Sequence, residues 1–199
     1  MSNKTWRATA SNQFKLWLES KANLKDFSKI FSNLDCFDSN ETFNSFCQNI
    51  IYQWQKTKVE CSIQYNDFQH IRDEINNQVQ INNLPRPIKT NWGGVAIRVH
   101  DHPKIEKYLA IDASKFLAFE KHSLKEEELE VKEGFGLLLH CQDTEGQIQI
   151  LPLIPGAKIS IPPPSEHCII ALENLLVYER SKDFKGMDQD LIFLFEPSF

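Results

Sequence analysis

The chain has 199 residues, a formal charge of -5 from 22 Lys/Arg against 27 Asp/Glu, a 41% hydrophobic fraction and 11% aromatics. That is enough apolar material for a sizeable core, which argues against wholesale disorder. The charge balance argues against a nucleic-acid partner, since phosphate backbones need concentrated positive charge. All seven glycines and nine prolines lie at or beyond position 85, and residues 1–84 carry nine charges of each sign, so the acid excess also falls in the second part. This break predicts an α+β chain: a helical N-terminal region over 1–84 and a strand-rich domain over 85–199.

The five cysteines (Cys36, Cys47, Cys61, Cys141, Cys168) are odd in number and contain no C-x-x-C pair. A reducing compartment fits them best. The first residues lead into no apolar signal region, and no stretch approaches the roughly 20 apolar residues of a membrane span. The sequence-based expectation is a soluble cytoplasmic protein without a membrane or nucleic-acid partner.

In chain order, a first helix is predicted over 11–34 with Ser11 as N-cap and Phe14, Trp17, Leu24, Phe27 and Phe31 along one face. A second comes after Asp38-Ser39-Asn40, with an apolar stripe at Phe43, Phe46, Cys47, Ile50, Ile51 and Trp54. A third runs from about 66 to 78 with Phe68, Ile71 and Ile75 inward. Such stripes mark core, so these helices must pack on each other or on the chain beyond residue 84. Pro85 and Pro87 end the helical pattern. From Trp92 onward about ten short strands are predicted, at 95–99, 108–111, 116–119, 129–131, 137–140, 148–153, 158–161, 168–171, 175–178 and 191–195. Their number implies a sandwich or barrel.

Strand alternation places Glu120 and His122 on one face and Lys121 on the other. On the next strand Glu127, Leu129 and Val131 share a face, opposite Glu128, Glu130 and Lys132. The same rule separates His140 from Cys141 and His167 from Cys168, so these thiols are expected to be buried apolar groups rather than nucleophiles. Downstream, Gly156 opens a turn, and the stiff run Pro162-Pro163-Pro164 delivers His167 to the start of a strand.

Here the chain resembles the cupin superfamily of RmlC-like jelly rolls. Its first motif, two histidines one residue apart, a glutamate and a glycine, is met by His122, Glu127 and Gly134, with Glu120 where the family has histidine or, in the mannose-6-phosphate isomerase branch, glutamine. Its second motif is met by Gly156, Pro162 and His167, with Pro164 in place of a glycine and Ala171 in place of the closing asparagine. Asn91-Trp92-Gly93-Gly94 is similar to the Pro-Trp-Gly opening of the mannose-6-phosphate isomerase cupins. The resemblance covers about 90–180 and implies a double-stranded β-helix, with metal ligands at Glu120, His122, Glu127 and His167. A competing match to the first motif (Gly94, His100, His102, Glu106) lacks the final glycine and is read as an exposed loop before Pro103.

Two imidazoles and two carboxylates suit zinc, manganese, iron or nickel, and such an ion could act as a Lewis acid. The resemblance implies an isomerase of the mannose-6-phosphate isomerase type, acting on a sugar or sugar phosphate, and a homodimer. Arg98, Lys158 and Arg180 are the candidate phosphate partners; no base is assigned. Two alternatives stand beside it. One is a non-catalytic small-molecule-binding or assembly module on a degenerate barrel. The other is a non-haem iron oxygenase using His122, His167 and Glu127.

Overall fold

A computed structural model describes residues 37–56, 66–142 and 148–199 of the chain. The helix predicted over 11–34, together with Cys36 and Cys61, lies outside the described residues. Two helices, α1 (Asn40–Lys56) and α2 (Asn66–Asn76), precede eleven strands. These are β1 (Ile88–Thr90), β2 (Gly93–Asp101), β3 (Lys104–Ile111), β4 (Phe119–His122), β5 (Glu126–Glu133), β6 (Gly136–Cys141), β7 (Gln149–Leu153), β8 (Lys158–Ile161), β9 (Glu166–Ala171), β10 (Leu175–Lys182) and β11 (Leu191–Phe195). They form two antiparallel sheets, ordered β1-β2-β3-β10-β5-β8 and β11-β4-β9-β6-β7. Successive strands from β3 to β10 repeatedly cross between sheets, which is the jelly-roll arrangement.

Both helices form where the apolar spacing predicts them. Ser39 Oγ accepts the Thr42 N–H at 3.2 Å and caps α1. At α2 the cap comes from far along the chain: the Glu133 carboxylate accepts the N–H groups of Asp67 and Phe68 at 3.1 and 2.8 Å. A carboxylate there also meets the positive end of the helix dipole.

The helices do not pair with each other; each covers the outer face of a different sheet. Phe43, Cys47, Ile50 and Trp54 of α1 share a core with Phe116, Phe119, Leu137, Leu139 and Ile170. Phe68, Ile71 and Ile75 of α2 pack on Ala96, Ala110 and Leu176. A third core, between the sheets, joins Leu109, Leu129, Val131, Leu138, Leu153 and Ile169. Position 84 thus divides the composition but not the apolar cores. The C-terminal tail adds a clamp, with Glu196 N–H donating to Asn40 Oδ1 and Ser198 N–H to Asn44 Oδ1, both at 2.7 Å.

Three expectations need correction. Regular strand β4 begins at Phe119 rather than 116, because Phe116 makes only an isolated bridge to Ile170 before regular pairing with β9 starts at Glu120. The three-residue β1 is too short to show alternation and was not predicted. His100 lies in β2 opposite Ile105 rather than in a loop; it is exposed, as is His102 in the turn beyond it. Among the described residues no helix is long and apolar enough to cross a membrane.

Gly134 holds the turn from β5 to β6 at φ +89, with a hypothetical Cβ only 1.7 Å from the Asn174 carbonyl oxygen. No other residue fits there.

Candidate functional site

The two sheets enclose a cavity of about 360 Å³ at one end of the barrel. Glu120 and His122 on β4, Glu127 on β5 and His167 on β9 all line it. Lys121 points away and lies 3.6 Å from Glu166. The alternation argument therefore gives the right parity on both strands.

Pairing across the sheets brings the four side chains together. Glu120 stands opposite His167 in the β4–β9 ladder, while Glu127 reaches in from the other sheet. His167 Nε2 lies 3.2 Å from Glu127 Oε2 and 3.9 Å from Glu120 Oε1, and His122 Nε2 lies 3.6 Å from Glu127 Oε1. Donors on bonds of about 2.1 Å stand roughly 3.0–3.4 Å apart. The quartet is thus slightly wider than a closed coordination shell, and no three His, Cys, Asp or Glu among the described residues form a ready-made metal cage. Glu127 Oε2 is buried and accepts no hydrogen bond. Donor types, convergence and this unsatisfied oxygen are suited to a divalent cation.

Asp190, which belongs to no motif in the sequence, supports His122 from behind. Its Oδ1 lies 2.9 Å from His122 Nδ1, and its Oδ2 accepts the N–H groups of Leu124 and Lys125 at 2.7 and 3.1 Å. Burial opposes ionisation of Asp190, but those three hydrogen bonds outweigh it and hold its carboxyl below the usual range. An ionised carboxylate can only accept, so His122 Nδ1 carries a proton and Nε2 is the nitrogen turned to the cavity.

The electrostatics are set by two lysines on the same cavity. Lys107 on β3 and Lys125 in the β4–β5 turn are both buried. Lys125 Nζ donates to Glu127 Oε1 at 2.6 Å and lies 2.8 Å from Glu179 Oε1. Burial works against ionisation of Glu127, yet His167, Lys125 and His122 close around it hold its carboxyl down at about 2. At Glu120 the balance is reversed: burial, then the charges of Glu127 and Asp188, outweigh Lys107 and Lys125 and push it up to about 8. Burial lowers His167 despite Glu127 beside it, and burial together with the charge of His167 lowers His140.

The residues expected to bind phosphate lie elsewhere. Arg98 forms a two-pronged pair with Glu74 of α2 at 2.6 and 2.9 Å, Arg180 pairs with Glu128 and Glu130 on the outer face of β5, and Lys158 is exposed on the edge strand β8. None of the three lines the cavity. Alternation explains Arg180, whose strand neighbour Glu179 faces in. Lys107 carried no sequence signal for burial, because its neighbours Glu106 and Tyr108 are polar as well. Cys47, Cys141 and Cys168 are buried, with Cys47 and Cys168 in the core beneath α1.

No family model and no curated protein matches this sequence. Among solved structures, the capsular polysaccharide assembling protein CapF from Staphylococcus aureus is similar, with a TM-score of 0.51 and 14% identity over 60% of this chain and 34% of that one. A variant oxalate decarboxylase from Bacillus subtilis (TM-score 0.48, 16% identity, 55% of this chain and 30% of that one) and KdgF from Halomonas sp. (TM-score 0.39, 20% identity, 44% and 76%) are also similar. This chain spans about a third of the length of CapF. The likeness to CapF and the two crossed-over antiparallel sheets give the same answer: this chain has the cupin fold.

Proposed function

We propose that the chain is a metal-binding cupin whose cavity takes a small polar molecule, a carbohydrate or its phosphate, in the manner of the mannose-6-phosphate isomerase branch it resembles. The observation that carries this reading is the convergence of Glu120, His122, Glu127 and His167 from both sheets, with a Glu127 oxygen left unsatisfied. Those four residues would hold the ion, with Asp190 fixing the His122 ring. When bound, a divalent ion there supplies a Lewis acid for a substrate carbonyl or hydroxyl. The side chains do the rest. Trp92 and Phe193 line the same cavity and offer apolar surface beside the charged groups, which matches a molecule carrying both C–H faces and hydroxyls. Walls of Leu109, Leu117 and Ile169 limit water at the inner end. A cytoplasmic homodimer belongs to the same reading.

One observation favours a second reading. Lys125 Nζ already gives Glu127 a cation at 2.6 Å, which is what a barrel that binds or assembles without metal would need. Elemental analysis of protein purified without added metal, repeated on a His122→Ala/His167→Ala variant, separates the two. Stoichiometric zinc, manganese, iron or nickel in the parent and its loss in the variant is the expected result. No metal in either, and none taken up on reconstitution, overturns the first reading in favour of the second. With metal bound, isomerisation of mannose, lyxose, fructose and their phosphates is the activity to assay, and oxygen consumption instead of isomerisation would move the assignment to an iron oxygenase.

A further inference from the structure

The quartet leaves a second set of charges in the cavity unexplained. Lys107 and Lys125 are 6% and 2% exposed, and among the described residues they are the only Lys or Arg lining the cavity. Lysine is almost never buried to this extent unless it is paired. Their ammonium groups straddle the carboxylate of Asp188, one on each oxygen: Lys107 Nζ donates to Oδ2 at 2.8 Å and Lys125 Nζ to Oδ1 at 2.5 Å. Glu179 on β10 lies 3.3 Å from the first and 2.8 Å from the second.

Asp188 differs from the other three. They come from barrel strands and the β4–β5 turn, whereas Asp188 comes from the surface loop between β10 and β11. Its side chain is 31% exposed, and it and Met187 have left-handed backbone at φ 64 and 42. The loop backbone is fastened independently, because the Asp183 carboxylate accepts the N–H groups of Lys185, Gly186 and Asp188. Rotation of the Asp188 side chain would therefore free both ammonium groups while the loop stays in place.

A carboxylate gripped through both oxygens by two buried cations has the form of a captured anion. We propose that Lys107 and Lys125 form a subsite for an acidic group of the ligand, phosphate or carboxylate, and that Asp188 is its internal stand-in, displaced when the ligand arrives. With Asp188 in place, the two lysines face three carboxylates, Glu127, Glu179 and Asp188. With Asp188 turned out they face two, each ammonium has lost one acceptor, and an incoming anion takes the position that the Asp188 carboxylate held. This inference rests on reading the cavity as a ligand pocket and does not require the metal.

Inorganic phosphate and malonate, titrated calorimetrically at constant ionic strength, are the probes. The Asp188→Asn variant is expected to bind the preferred anion at least tenfold more tightly than the parent, and adding Lys107→Gln is expected to abolish that gain. Preference for phosphate identifies an ester, and preference for malonate a carboxylic acid. Affinities within twofold of the parent, or a gain that survives Lys107→Gln, overturn the proposal. Asp188→Ala, checked for native fold by near-ultraviolet circular dichroism, repeats the test if the Asn variant misfolds. In the parent protein either anion should raise the thermal midpoint above that in chloride of equal ionic strength; no rise with either overturns the proposal without recourse to any variant. A parent protein that holds no metal and takes up none but still binds the anion removes the metal reading alone, and a His122→Ala/His167→Ala protein that loses metal but keeps anion binding supports both.

Discussion

Asp190 accepts the Nδ1 proton of His122 at 2.9 Å from 68 residues further along the chain, and with its other oxygen it closes the β4–β5 turn. One carboxylate thus fixes both a ring orientation and the backbone that leads to Glu127. Asp190→Ala is expected to lower metal affinity about 10–100-fold, as loss of such an outer partner typically does. It should also cost about 2–4 kcal/mol of stability, since two backbone donors lose their acceptor. Metal titration and urea denaturation measure the two effects separately. An unchanged metal affinity would show that His122 needs no orientation.

Lys125 and Arg180 both pair with two or more carboxylates, but only Lys125 does so out of contact with water. Lys125→Met should destabilise by about 3–5 kcal/mol, because it leaves the buried Glu127 and Glu179, and Asp188 at the cavity's edge, with one fewer cation. Arg180→Ala should leave the urea midpoint essentially unchanged, since exposed pairs contribute little. Equal effects of the two variants would contradict the burial described for Lys125.

Helix α1 covers a sheet face that would otherwise expose Phe116, Phe119, Leu139 and Ile170. Phe43→Ala, at a fully buried position, is expected to cost about 3–5 kcal/mol. Residues 85–199 expressed alone should bind a hydrophobic dye and aggregate, because an exposed apolar face of that extent is an association surface. A soluble, cooperatively unfolding 85–199 fragment would establish instead that the barrel is an independent domain.

Burial opposes ionisation of Asp188, but Lys107 and Lys125 outweigh it and hold its carboxyl well below the usual carboxylate range. A carboxyl whose folded value lies below its unfolded value of about 4 contributes stability above that pH, and the contribution is lost as pH falls further. The parent protein should therefore exceed Asp188→Asn in urea midpoint at pH 7, and the gap should narrow by pH 3. A gap that is constant over this range would mean that the ion pair adds nothing to stability.

Much of this was legible in the sequence because it is local. Helix periodicity locates α1 and α2, and the residue-to-residue alternation of strands puts Glu120 and His122 on one face with Lys121 on the other. Glu127 and His167 were singled out by the resemblance to the cupin motifs, carried by their spacing from Gly134, Gly156 and Pro162. Alternation alone, however, says which residues share a face and not which face is inside. At Glu179-Arg180 the sequence-based choice fell on the arginine, and the structure turns that residue to solvent beside Glu128 and Glu130.

What the sequence determined by itself, then, is the succession of elements and the parity of side chains along each, since both arise from backbone geometry over a few residues. The tertiary structure alone decided that Asp190 meets His122, that Asp188 meets Lys107 and Lys125, and that the two helices clothe opposite sheets. Each of these joins segments about 20 to more than 120 residues apart, brought together by strand pairing and burial of apolar faces. A charged residue looks the same in sequence whether water or an opposite charge solvates it, and only the fold determines which.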